Sequence, residues 1–150
     1  MAMRYLLMSC NICNALQLYK IDVTSGMGWF SRKPKAYEPL PIPSITPEEA
    51  QWTGKDFEFE IQFADGIEPK ITDVEYDSLM TPDSFAWVKV IEDNWPYYVV
   101  GDDEYYHSWE PSGVQMAFSE NMPYPKALQI AYEIVNKLRA KGADASLIVI

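Results

Sequence analysis

An α+β fold is what this 150-residue chain predicts, and three observations carry it. Residues 57–63 alternate apolar and polar, the period of a strand with one wet face. From Tyr124 onward the apolar residues switch to helical spacing. Short β-branched and aromatic runs, broken by Gly, Pro and Asp, fill the ground between and recur after the helix. One long C-terminal helix with six to eight strands around it predicts an apolar helical stripe packed on a mainly antiparallel or mixed sheet. With 48% apolar residues, residues 1–150 amount to one domain with its own core.

The elements follow in order. Met3–Met8 reads as a first strand and Leu16–Val23 as a second, in which strand and helix periods compete. Gly26-Met27-Gly28 breaks the pattern. Ser31–Pro47 holds Pro34, Pro39, Pro41, Pro43 and Pro47; proline fixes φ and removes a donor, so extended chain over the surface is expected. Phe57, Phe59, Ile61 and Phe63 point one way and Glu58, Glu60 and Gln62 the other, before a turn at Ala64-Asp65-Gly66. Ile71–Tyr76 and Phe85–Ile91 read as strands, the latter with Phe85, Trp87 and Lys89 on one face. Tyr97–Val100 and Val114–Phe118 read as short strands around a loop. Leu128, Ala131, Val135 and Leu138 mark the helix, about 125–141, with Pro125 in its first turn, Gly142 as its stop and Glu133–Lys137 as an i, i+4 pair. Leu147–Ile150 reads as a final strand buried on both faces.

Composition removes several function classes. A net charge of −10 argues against nucleic acid as partner, because phosphates demand positive charge. No apolar run is long enough to span a bilayer, and the stretch before Ser9-Cys10 is too short for a secretory signal, so a cytoplasmic protein is expected. Cys10 and Cys13 have redox-motif spacing but no third and fourth ligand for zinc, and they read as small buried apolar side chains. His107, the only histidine, has no nucleophile turn beside it. Gly26-Met27-Gly28 lacks the rest of a phosphate loop. Asp102-Asp103-Glu104 lacks the alternation and glycine of a calcium loop. No catalytic residue, metal or cofactor is expected.

Charge is distributed very unevenly. Residues 56–110 hold 2 basic and 15 acidic side chains, a net of −13, whereas both flanks are slightly basic. Within that third, Glu92, Asp93, Asp102, Asp103, Glu104 and Glu110 interleave with Trp95, Tyr97, Tyr98, Tyr105, Tyr106 and Trp109, without Lys or Arg between them. Aromatics are stiff anchors and fixed acids steer cations, so these twelve residues form the expected binding surface for a basic protein partner. Half of the aromatics should face inward by strand alternation alone. In this acidic aromatic stretch, Asn94-Trp95-Pro96-Tyr97-Tyr98 followed by Asp102-Asp103-Glu104-Tyr105-Tyr106, the chain resembles, at the level of class, bacterial immunity proteins and antitoxins. The resemblance implies a small cytoplasmic non-enzyme that neutralises a toxin. On the binding surface itself, Tyr105, Tyr106 and Trp109 are the expected anchors. A carboxylate-dependent hydrolase and a carbohydrate-binding module are the alternative readings.

Overall fold

The computed structural model describes residues 35–53 and 56–149, together with the short strands β1 (Leu6–Met8) and β2 (Gln17–Tyr19). Cys10, Cys13 and Gly26-Met27-Gly28 lie outside the described residues. The chain divides into two compact units, Met1–Lys33 and Pro34–Ile150, with the boundary inside the proline-rich stretch. In the first, β1 and β2 pair antiparallel, with Leu7 opposite Leu18.

The second unit is α+β. Its sheet has six strands: β3 (Glu58–Phe63), β4 (Val88–Glu92), β5 (Trp95–Val100), β6 (Asp103–Glu110), β7 (Gly113–Phe118) and β8 (Ala145–Val149). They lie in the order β4-β5-β6-β7-β3-β8, and every neighbouring pair is antiparallel. Two-residue turns join β4 to β5 and β5 to β6. The first, Asp93-Asn94, has φ of 50° and 66°; such positive values match the twist of a hairpin.

Two helices, α1 (Asp73–Leu79) and α2 (Tyr124–Ala140), contribute to the core on one side of this sheet. α2 buries Ala127, Leu128, Ile130, Ala131, Ile134, Val135 and Leu138. Against them stand Phe59, Ile61 and Phe63 of β3 and Val114, Met116 and Phe118 of β7. Pro125 lies in the first turn of α2, and Gly142, at φ 96°, closes the helix with its N–H on the Arg139 carbonyl. Trp52 caps one end of the core, its ring centroid 5.1 Å from Phe59 and 5.2 Å from Tyr124. The proline-rich chain runs beside α2, where Asn136 both donates to and accepts from the Leu40 backbone.

Five sequence expectations are corrected. Residues 73–79 are helix, not strand: Tyr76, Leu79 and Met80 turn inward at helical spacing, and Asp73 and Glu75 favour the positive end of the first turn. The strand expected at 85–91 runs from Val88 to Glu92. The loop expected between 100 and 114 is mostly β6, the longest strand. The last strand is an edge, with Ile148 39% and Val149 46% exposed, instead of doubly buried. Glu133 and Lys137 do not bond each other. Glu133 accepts from the Asp83 and Ser84 N–H groups, while Lys137 donates to the Ser78 and Thr81 carbonyls and to Asp83.

Gly113 is a position where an added Cβ would meet another strand's backbone. It sits opposite Gln62 on one side and Glu110 on the other, at φ 155°, and a Cβ there would lie 1.8 Å from the Ile61 carbonyl oxygen. Gly113→Ala should therefore force β3 and β7 apart and cost more than about 3 kcal/mol, read as the loss in urea-unfolding free energy. An unfolding curve within error of the parent would refute this account of the β3–β7 register.

Candidate interaction face

Directly paired residues of antiparallel strands share a face, so the register divides the acidic stretch into two populations. On the helix side lie Lys89, Pro96, Tyr98, Val100, Asp103, Tyr105, His107 and Trp109. On the other lie Val88, Val90 and Glu92 of β4, Trp95, Tyr97 and Val99 of β5, Glu104, Tyr106, Ser108 and Glu110 of β6, Gln115 and Ala117 of β7, Glu58, Glu60 and Gln62 of β3, and Ser146 and Ile148 of β8. No described helix packs on this second face. Its strand positions carry five glutamates and neither Lys nor Arg.

The residues expected to form the binding surface separate accordingly. Glu92, Trp95, Tyr97, Glu104, Tyr106 and Glu110 come together on the open face. Trp95 is 68% and Tyr106 46% exposed, and among the described residues neither they nor Tyr97 stack on another ring. Trp95, Tyr97 and Tyr106 flank a shallow depression of about 260 Å³ with Glu92 and Glu104 at its rim. Asp93 and Asp102 sit in the turns at opposite ends of β5.

Three aromatics expected on the surface, Tyr98, Tyr105 and Trp109, pack on the core side of the sheet. Tyr98 and Tyr105 are closed to solvent; their rings stack at 5.5 Å, and the Tyr105 hydroxyl donates to the Met80 carbonyl. Trp109 stacks on Phe63 and gives its indole N–H to the Tyr76 hydroxyl at 2.9 Å. Alternation decides this: 105, 107 and 109 share one face of β6, and 104, 106, 108 and 110 share the other. Asp103 also turns to the helix side, where Lys126 binds its carboxylate at 2.6 Å and reaches the Val100 carbonyl. Asp102, Asp103 and Glu104 thus point to three different surroundings and do not converge. Among the described residues no cluster of His, Cys, Asp and Glu has the makings of a metal site.

Glu58 and Glu60 are the acids that sequence reasoning did not join to the face. The signal was present in the wet side of residues 57–63, but the pairing order β6-β7-β3 was needed to bring it beside Glu104 and Glu110. Side chains hold three of these acids in place: Gln115 donates to Glu58 at 2.7 Å, Ser112 to Glu60 at 2.8 Å, and Ser108 to Glu110 at 3.1 Å. The five described ion pairs, by contrast, engage Asp77, Asp83, Asp103, Asp144 and Glu75, none of them on this face.

Beneath the face, His107 lies among Tyr98, Tyr76 and Tyr105, with ring centroids 5.2, 5.6 and 6.3 Å away. Its Nε2 is buried without a hydrogen-bond partner. Burial pushes its pKa down to about 4, and the nearby Asp77 carboxylate only partly opposes this. Asp77 itself pays a desolvation penalty, but hydrogen bonds from Lys89 and Tyr98 outweigh it and hold the carboxyl below its usual range. Burial, aided by the bond to Asp77, raises the Tyr98 hydroxyl. His107 is therefore a neutral core group.

No family model matches the chain, and no curated protein or solved structure matches it. Among the described residues, no helix is long and apolar enough to cross a membrane.

The buried imidazole makes stability depend on pH. Between pH 6.5 and about 4 the unfolded chain protonates His107 and the folded chain does not, so stability falls as the pH drops through this window. The loss reaches about 3 kcal/mol at the lower end. Urea-unfolding free energies measured from pH 7.5 to 4 should show this slope, and His107→Phe should flatten it. An equal slope in the variant would place the titration elsewhere.

Proposed function

We propose that this protein is a non-catalytic acidic binder whose open sheet face docks a basic protein partner, as an immunity-type protein does when it covers the cationic groove of a bacterial toxin. The observation that carries the reading is the partition of charge. Every described ion pair lies off the open face, while Glu58, Glu60, Glu92, Glu104 and Glu110 on it face no cation from the sheet. A groove that holds phosphates is lined with Lys and Arg, and a broad acidic surface complements it without deep shape matching. The cytoplasm, where a producing cell meets its own toxin, is the compartment this reading implies.

The division of labour follows from exposure. Glu92 and Glu104, exposed and with carboxylates that have no described hydrogen-bond partner, act at long range and steer encounter. Trp95 and Tyr106 provide large, rigid contact area. The spread of the acids over several strands, in place of convergence on one deep pocket, favours a docking surface over a hydrolase.

The test begins with a partner captured from the native host and identified, whose binding is then followed at low and high salt. The combined variant Glu92→Gln, Glu104→Gln, Glu110→Gln should lower k_on by about tenfold at low salt and flatten the salt dependence. Trp95→Ala and Tyr106→Ala should instead raise k_off, each costing about 1–3 kcal/mol. An acidic partner, or affinity indifferent to the triple variant, would overturn the reading. Binding of a glycan with no basic protein partner would favour the carbohydrate-binding alternative.

A further inference from the structure

The pairing of β5 with β6 stops early. It covers Val100↔Asp103 to Tyr98↔Tyr105, while β4 stays paired with β5 to Glu92↔Trp95 and β6 with β7 to Glu110↔Gly113. Pro96 explains the break: it has no N–H to give the next ladder position. Beyond it a cleft of about 360 Å³ opens between the strands, lined by Trp95, Pro96, Tyr106, His107, Ser108, Trp109 and Glu110.

The backbone chemistry of the cleft can be deduced. The Ser119 N–H donates to the Glu104 carbonyl, so the even-numbered residues of β6 bond toward β7. The N–H and C=O groups of odd-numbered residues therefore face β5. After Tyr105 the ladder has ended, which leaves the C=O and N–H groups of His107 and Trp109 directed at the cleft. Beside them stands Glu110, one carboxylate oxygen engaged by Ser108 and Oε2 without a described partner. Trp95 and Tyr106 offer ring faces that no described aromatic occupies, and no Lys or Arg lines the space. The cleft thus presents a carboxylate, two aromatic rings and the carbonyls of two residues, with the N–H groups of those residues beside them.

We infer that this cleft is a socket for the guanidinium group of an arginine side chain presented by the basic partner. A planar cation with five donors can lie against Trp95 or Tyr106 while its edge serves Glu110 and the free carbonyls. An ammonium is a compact, strongly hydrated charge and makes less use of flat rings and several in-plane acceptors. The inference rests on the basic-partner reading for the source of the arginine, but the socket is testable by itself.

The experiment titrates the full-length ¹⁵N-labelled protein with N-acetyl-arginine amide, alongside its lysine and citrulline counterparts. Arginine amide should shift the Trp95 indole N–H and the backbone N–H groups of residues 106–110, with lysine amide at least about fivefold weaker and citrulline amide inert. Glu110→Gln and Trp95→Ala should each weaken arginine amide about fivefold or more, and Glu60→Gln, on the same face but outside the cleft, should not. Each variant's unfolding curve must match the parent's for the comparison to count, and Tyr106→Ala replaces any that fails. Equal binding of arginine and lysine amides, shifts spread over the whole face, or equal weakening by Glu60→Gln would overturn the socket. A basic partner that depends on Glu92 and Glu104 while arginine amide leaves the cleft untouched overturns the socket alone. Arginine amide in the cleft with no basic partner found overturns only the docking reading.

Discussion

Side-chain alternation along β6 is the constraint on which both faces of this sheet depend. Inward, Tyr105 donates to the Met80 carbonyl, Trp109 donates to the Tyr76 hydroxyl, and the His107 ring lies between Tyr76 and Tyr98. These contacts tie α1 and the chain after it to the sheet through aromatic rings that also carry a polar handle. Outward, Glu104, Tyr106, Ser108 and Glu110 stand on the open face. A slip of one residue would exchange the sets, driving two glutamates into the core and exposing Tyr105 and Trp109. Gly113, which lets β7 pair closely with β3 and β6, and the two-residue turns flanking β5 hold that register.

The charge partition has a physical logic of its own. The chain carries 12 Lys and Arg against 22 Asp and Glu, and a net charge of −10 makes it repel itself. Lys89, Lys126, Lys137, Arg139 and Lys141 are all engaged off the open face. The pairs in which both partners are well exposed, Lys89–Asp77 and Lys141–Glu75, add little stability. Several of these cations do more than pair: Lys126 also caps the Val100 carbonyl, Lys137 the Ser78 and Thr81 carbonyls, and Arg139 the Glu38 and Ala145 carbonyls. They join α2 to the loops and strands around it. Among the described residues, the five paired cations all lie off the open face, which keeps its negative field.

How much of this was legible in the sequence depends on the range of the information required. Residues 57–63 and the helix from 124 declared themselves, because period 2 and period 3.6 are local properties and Pro125 and Gly142 mark the helix boundaries. Residues 73–79 were misread because Ile71–Tyr76 has a β-branched composition, while the contacts that make it helical, Tyr76 and Met80 against β6, are long-range. The acidic aromatic stretch was recognised as one block, and alternation foretold that half its aromatics would turn inward. Choosing Tyr105 and Trp109 as anchors required the phase of β6, which the sequence does not show when the strand is mistaken for a loop. Edge position is likewise invisible: Leu147–Ile150 has the composition of a central strand, but nothing local says that β8 has a neighbour on one side only.

The glutamates of the face differ in freedom, and that difference bears on how such a surface works. Glu58, Glu60 and Glu110 accept hydrogen bonds from Gln115, Ser112, Gln62 and Ser108, so their carboxylates are oriented before any partner arrives. Ordering a long side chain on binding costs about 0.5–1.5 kcal/mol, and pre-positioned groups avoid part of it. Glu92 and Glu104 have no such restraint among the described residues and can follow an approaching cation. Acids oriented by hydrogen bonds, Glu58, Glu60 and Glu110, and acids without them, Glu92 and Glu104 beside Trp95, divide the face into a region shaped for docking and a region suited to capture. An antiparallel sheet lends itself to this division, because each strand fixes its Cα positions tightly while the side chains beside it set how far each charge can move.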